Sequence, residues 1–327
     1  MNLIKRITTI LFCCLLLVPH IARADWHRTE AAIMGTAVTV ELWHTDEKAG
    51  KALLDAVLVE MRRIDALMST WKPDSQLSRI NATAARKPAA VGSELRALII
   101  RALGFSGLTG GAFDITYASA GRHYDYRNGN RPSEAEIAEA LPAIDYRHVI
   151  IDPEHSTVRY RHPGVSIDLG GIAKGHAVDR AMHILQRAGV EHALVSAGGD
   201  TRVIGNRWGR AWQVGIRDPR NDDGIVTMIP LVNRAISTSG DYERYFEEDG
   251  VRYHHILNPG TGKSVGDVRS VTVIGNTATT TDALSTSVFV LGVGKGLQLV
   301  NRQADIEAVI IDNEGRMHFS SGLAMVQ

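Results

Sequence analysis

Apolar and polar positions alternate with period two over Val38, Val40 and Leu42 against Thr39, Glu41 and Trp43, which predicts a half-buried strand. The spacing then becomes helical, with Ala52, Val57, Met61, Ile64 and Leu67 forming one apolar stripe from about Glu47 to Met68. Pro73, in the loop Ser69 to Ser75, forbids helical continuation. A second helix is predicted from Ser93, placed to cap it, to Leu108, ending at Thr109-Gly110-Gly111. The polar piece from Tyr124 to Pro142 reads as an insertion holding one short helix capped by Ser133, and strands follow at His148 to Asp152 and Thr157 to Arg161.

In mid-chain Val165, Ile167 and Leu169 alternate with Ser166 and Asp168, predicting a short strand broken by Gly170-Gly171. Helical spacing resumes through Ala177, Ala181, Ile184 and Leu185 to a stop at Gly189. A strand from His192 to Ala197 ends in a second glycine break, Gly198-Gly199-Asp200. Further strands are predicted at Trp212 to Arg217, Gly224 to Ala235 and Val268 to Ile274. After them come a helix from about Thr279 to Gly292, another from Lys295 to Ala304, and strands near Ile306 to Ile311 and Arg316 to Phe319.

The first 24 residues depart from this texture. Lys5 and Arg6 precede an apolar run from Ile7 to Val18, and Ala22 and Ala24 stand at −3 and −1 of a cut before Asp25, the pattern of a secretory signal peptide. The run is short for a bilayer anchor, so the expected product is a soluble periplasmic protein with no stable membrane anchor. Both cysteines, Cys13 and Cys14, lie in this leader, which leaves the mature chain without disulfides or a thiolate nucleophile. Lys5, Arg6 and Arg23 leave with it, so 36 basic against 36 acidic residues become 33 against 36, and that balance gives no footprint for nucleic acid. Residues 25–327 carry no repeat or long linker and are expected to form one domain, or two lobes with a cleft between them.

Candidate chemistry concentrates at a few places. The glycine turn at Gly170-Gly171 presents backbone N–H groups beside the positive end of a helix dipole, and Lys174 adds a full charge one turn in, a phosphate-binding arrangement that in isolation serves packing more often. Trp71 is either a stacking platform for a planar ring or a staple for its loop. Asp114 either orients a ligand or, more commonly, holds a turn. His254 and His255 lack a third ligand at zinc spacing, and one histidine as acid, base or phosphate partner fits better. On a helix, Asp282, Ser285 and Thr286 share one face at i, i+3 and i+4, a hard-oxygen set with one carboxylate that suits Mg²⁺ completed by waters and a phosphate; the commoner reading is an acid complementing a helix start.

As a set, the motifs Met34-Gly35-Thr36, Ser69-Thr70-Trp71, Gly111-Ala112-Phe113-Asp114, Asp168-Leu169-Gly170-Gly171-Ile172-Ala173-Lys174-Gly175, Gly198-Gly199-Asp200, His255-Ile256-Leu257-Asn258-Pro259-Gly260-Thr261-Gly262 and Asp282-Ala283-Leu284-Ser285-Thr286 resemble the ApbE family of flavin transferases, in order and over nearly the whole mature chain. The resemblance implies an α+β fold related to the T-fold, mixed β-sheets packed with helices. It also implies an exported, Mg²⁺-dependent enzyme that splits FAD, attaches FMN to a Thr or Ser hydroxyl of an acceptor flavoprotein and releases AMP. Acceptors would be subunits of periplasm-facing membrane redox complexes. Carried over, FAD is held by Met34, Trp71, Ala112, Phe113, Asp114, Asp168, Lys174 and Ile256, and the metal by Asp282 and Thr286 with the carbonyl of Gly171. Ser285 stands where some members have a second carboxylate, and Trp71 where some have Tyr.

On that chemistry, Lys174 assists charge neutralisation, and His255 is the first candidate general base with Asp168 next. A Mg²⁺-dependent FAD pyrophosphatase in the same site, or a flavin-binding protein without catalysis, are the competing readings.

Overall fold

Eight strands join in chain order into one antiparallel sheet: β1 (Asp25–Ile33), β2 (Thr36–His44), β3 (Ala193–Ala197), β4 (Asp200–Ile204), β5 (Ala235–Gly240), β6 (Val268–Gly275), β7 (Glu307–Asp312) and β8 (Met317–Phe319). This computed structural model describes residues 25–324, so the predicted leader lies outside the described residues. Helices enter as excursions between neighbouring strands. Between β2 and β3 come α1 (Glu47–Met68), α2 (Ser93–Leu108) and α3 (Ala173–Arg187); between β6 and β7 comes α4 (Ala278–Val300). The class is α+β, as the resemblance implied.

Helices α1, α3 and α4 lie side by side on one face of the sheet, over β1–β2, β3–β4 and β5–β6–β7 respectively. The strand alternation shows why that face is sealed. Val271 and Val273 of β6 point into the cluster under α4, while Ile274 beside them and Ile236 of β5 face the other side, where the hairpin of strands Trp212–Asp218 and Asn221–Leu231 covers them with Trp212 and Leu231. Asp46 caps α1 by accepting from the Ala49 N–H at 2.8 Å, and the stripe then buries Leu54, Val57, Leu58, Met61, Ile64 and Met68, each such side chain stabilising by about 1.5–3 kcal/mol. Among the described residues α4 is the one helix long and apolar enough to cross a membrane, yet its Leu284, Val288 and Phe289 are core residues packed against the sheet. Its run is interrupted at Gly292, at φ 73°, where the predicted stop falls.

Four expectations change. The segment Val165 to Leu169 buries Val165, Ile167 and Leu169 as the alternation predicts, but it belongs to no sheet. Its backbone partners are side chains and a loop: the Asn81 amide donates to the Ile167 carbonyl at 2.8 Å and accepts from the Ile167 N–H at 2.9 Å, Ser166 N–H donates to Ser119 Oγ, and Asp168 N–H donates to the Ile115 carbonyl. A side-chain amide here does the work of a neighbouring strand. Helix α2 is capped by the extended Gly92, with Ser93 already its first helical residue. The predicted strand Gly224 to Ala235 is two elements, because residues 232–234 turn the chain from the covering hairpin into β5. Strand β1 was not anticipated: it pairs only with β2, and an edge strand of mainly polar residues carries little alternation.

Candidate functional site

The glycine turn places Lys174 in the first turn of α3, and α3 crosses the start of α4 closely. Gly175 makes this crossing possible: a Cβ there would lie 2.2 Å from the Ala278 carbonyl oxygen and 2.8 Å from Asp282 Cβ. The Gly175 N–H donates to Asp282 Oδ2 at 2.9 Å, which fixes the carboxylate. Asp179, one turn further along α3, accepts from the N–H groups of Ala278 and Thr279, both at 2.9 Å, and pairs with Arg202 at 2.7 Å, so α3 also caps α4.

Lys174 Nζ stands 2.9 Å from Asp200 Oδ2 and 3.6 Å from Asp282 Oδ1. Two buried carboxylates thus share one ammonium. Burial works against the charge on Lys174, but Asp200 and Asp282 outweigh it and hold its pKa above the ordinary value. Burial raises the Asp282 carboxyl to about 7, Asp200 adds repulsion, and Lys174 with the Gly175 N–H opposes both.

Thr286, one turn after Asp282, faces the glycine turn: a Cβ on Gly171 would lie 3.2 Å from Thr286 Oγ1 and 3.2 Å from the Phe113 ring. Ser285 points elsewhere. Its hydroxyl donates to the Asp282 carbonyl at 2.9 Å and pairs with Ser239 Oγ at 2.8 Å, while Ser239 approaches Thr286 Oγ1 at 3.3 Å. Of the two hydroxyls after Asp282, Thr286 faces the turn and Ser285 braces α4 against β5.

Beside the turn, Asp168 Oδ1 accepts from the Gly170 N–H at 2.6 Å and from the Tyr117 hydroxyl at 3.1 Å, and Oδ2 accepts from Thr70 Oγ1 at 2.6 Å. Burial, with Asp168 adjacent, raises the Tyr117 pKa well above its ordinary value, so the phenol keeps the proton it donates. Thr70 pins the 69–75 loop to Asp168 and leaves Trp71 82% exposed. A residue stapling a loop to the core would be covered, so Trp71 presents an open ring on the loop that Thr70 ties to Asp168.

The two histidines differ in their partners. His254 is buried with both ring nitrogens engaged, Nε2 with the Val265 carbonyl at 2.6 Å and Nδ1 with the Ile256 N–H at 3.3 Å. His255 Nδ1 is buried and has no hydrogen-bond partner among the described residues. Burial lowers the His255 pKa to about 3, with Arg244, His254 and Lys174 adding repulsion, so the ring is neutral. The folded pKa lies below the unfolded 6.5, so between pH 6.5 and about 3 the unfolded chain binds a proton the folded ring does not. Stability from this group is full above 6.5 and falls as pH drops through that window, by at most about 1.4 kcal/mol per pH unit. Denaturation of His255→Gln against wild type across pH 4–7 is expected to show the acid slope reduced in the variant; parallel profiles would contradict it.

Met34 and Gly35 form the β1–β2 hairpin tip, both with positive φ (56° and 70°), a conformation that strains Met by about 1–2 kcal/mol. The remaining sequence candidates are less available. Asp114 is buried with its carboxylate accepting from Thr116 N–H and Oγ1 and from Tyr146 N–H, the turn role rather than an open one. Ile256 is a core residue of the cluster under α4, Phe113 packs edge-on to Phe105, and Ala112 is half-buried beside it. Thr70, Tyr117, Asp200, Ser239 and Arg244 reach the site without having been given roles from sequence. Their signal is three-dimensional, although Asp200 lies in a glycine motif that marked its strand end.

The geometry defines an α+β enzyme type, with Lys174 and a glycine turn facing a buried oxygen cluster. Residues 34–310 match the ApbE family. The FAD:protein FMN transferase of Treponema pallidum is 32% identical over 321 residues, covering 92% of this chain and 89% of its own, and that of Vibrio cholerae is 34% identical over 285 residues, covering 84% of each. The crystal structure of the ApbE protein from Thermotoga maritima superposes with a TM-score of 0.84 at 38% identity, covering 92% of this chain and 99% of that one. The chain belongs to the ApbE family.

Proposed function

We infer that this chain, an enzyme of the FAD:protein FMN transferase type like its relatives, transfers the FMN half of FAD to a Thr or Ser hydroxyl of an acceptor flavoprotein and releases AMP. The observation that carries the reading is the juxtaposition of Lys174 and the Gly170-Gly171 turn with Asp282 and Thr286 across the α3–α4 crossing. Attack of a hydroxyl on the FMN phosphorus breaks the bond to the AMP oxygen and builds charge on the nonbridging oxygens. Lys174 opposes that charge. His255, with a buried ring nitrogen that has no partner among the described residues, takes the proton of the attacking hydroxyl once the anionic substrate offsets the burial and the cations that hold its pKa down. Trp71 offers the ring on which an isoalloxazine stacks, and Asp168, held by Tyr117 and Thr70, orients polar edges beside it.

The donor set fits Mg²⁺: hard oxygens with one carboxylate, Asp282, its orientation fixed by the Gly175 N–H. Asp282, Thr286 and the Gly171 carbonyl would hold the ion, which when bound neutralises charge on the diphosphate oxygens. The signal-like leader supports export to the periplasm and acceptors facing it, subunits of membrane redox complexes among them.

The test is to incubate the protein with FAD, Mg²⁺ and a candidate flavoprotein, then view a denaturing gel for flavin fluorescence. A fluorescent acceptor band is expected. Free FMN plus AMP without a band would make the chain a pyrophosphatase, and unchanged FAD would make it a binding protein only.

A further inference from the structure

The hairpin of strands Tyr245–Glu248 and Val251–His254 stands outside the main sheet, and its base delivers two residues side by side, Arg244 and His255, joined by the His255 N–H donating to the Arg244 carbonyl at 3.1 Å. The Arg244 guanidinium lies across the β1–β2 tip: a Cβ on Gly35 would sit 3.3 Å from Arg244 Nη2. Two neighbouring arginines are committed. Arg252 pairs with Glu247 at 2.8 Å, and Arg220 clasps Asp241 at the hairpin's approach through two bonds of 2.8 and 2.7 Å. Arg244 has no carboxylate within ion-pair distance and no side-chain hydrogen bond among the described residues. Arg244 is solvent-exposed, and its charge opposes protonation of His255 and of Lys174.

Gathering a second cation near Lys174 costs repulsion, which a protein tolerates where an anion arrives to relieve it. A guanidinium is suited to the task, because its planar fork pairs with two phosphate oxygens at once. We propose that Arg244 is a binding residue of the dinucleotide site, holding the diphosphate from the hairpin side while the glycine turn and Lys174 hold it from the α3 side. Met34 and the hairpin base thereby meet over the ligand, with Gly35 leaving the space that the guanidinium needs. The proposal rests on FAD being the substrate.

Flavin-fluorescence titrations with FAD and riboflavin, and calorimetry with ADP, would test it on wild type, Arg244→Gln and Arg244→Lys. Arg244→Gln is expected to weaken FAD and ADP by about ten- to a hundredfold and leave riboflavin, which lacks phosphate, within twofold. Arg244→Lys should recover part of the loss, and the salt dependence of FAD binding should be shallower in Arg244→Gln than in wild type. Unchanged FAD affinity, or an equal loss for riboflavin, would overturn the assignment. Failure of wild type to bind FAD would instead remove the substrate reading itself. If Arg244→Gln does not fold, Arg244→Lys and the wild-type preference for ADP over adenosine carry the same comparison.

Discussion

Asp282→Asn is expected to fold and to lose transfer and FAD hydrolysis together, by at least about two to three orders of magnitude, the scale of one group stabilising transition-state charge. The amide keeps an oxygen for the Gly175 N–H, which donates to Asp282 at 2.9 Å, so α3 and α4 stay docked. What disappears is the negative charge 3.6 Å from Lys174 and the anionic ligand for a divalent ion. Stability should not fall, because the variant also removes a buried carboxylate repelled by Asp200. Rates with FAD and saturating Mg²⁺, together with chemical denaturation, check both halves. Full activity in the metal-replete variant would remove Asp282 from the chemistry.

Gly175→Ala is the larger structural effect. In most helices this exchange stabilises by up to about 1 kcal/mol. Here the new methyl would meet the Ala278 carbonyl carbon at 2.6 Å and its oxygen at 2.2 Å, and the obstruction is backbone, which cannot rotate away. The helices must separate, at a cost of about 2–3 kcal/mol. Separation also carries Asp282 away from Lys174 and from the glycine turn, so transfer activity should fall with stability. A variant as stable and active as wild type would show that the crossing is looser than the contacts require.

These two residues also show what a sequence discloses. The glycine turn, Lys174 and the Asp282 face of α4 were legible because each is a local pattern: a glycine break between elements, a charge one turn in, oxygens at i, i+3 and i+4. Helix α1 was legible end to end because its stripe is long and amphipathic. Lost from view was whatever depends on a partner distant in the chain. Alternation at Val165, Ile167 and Leu169 reported burial correctly, but the partner was Asn81's amide rather than a strand, and period two cannot tell these apart. Trp71 looked more like a loop staple until Thr70 was seen to hold the loop instead. Arg244 sits among Glu243, Glu247 and Glu248 in the sequence, where an ion-paired surface residue is the natural reading; only the hairpin base and the Gly35 tip set it apart.

The central claim is that one ion at Asp282 and Thr286 meets the diphosphate of FAD above the glycine turn. Electron–nuclear double resonance on the protein loaded with Mn²⁺ in place of Mg²⁺ reads that contact through the coupling between the metal and phosphorus. With FAD bound, wild type should give a ³¹P coupling of directly ligated phosphate, and Asp282→Asn should not. A wild-type spectrum without phosphorus coupling, or one that survives in Asp282→Asn, would contradict the account.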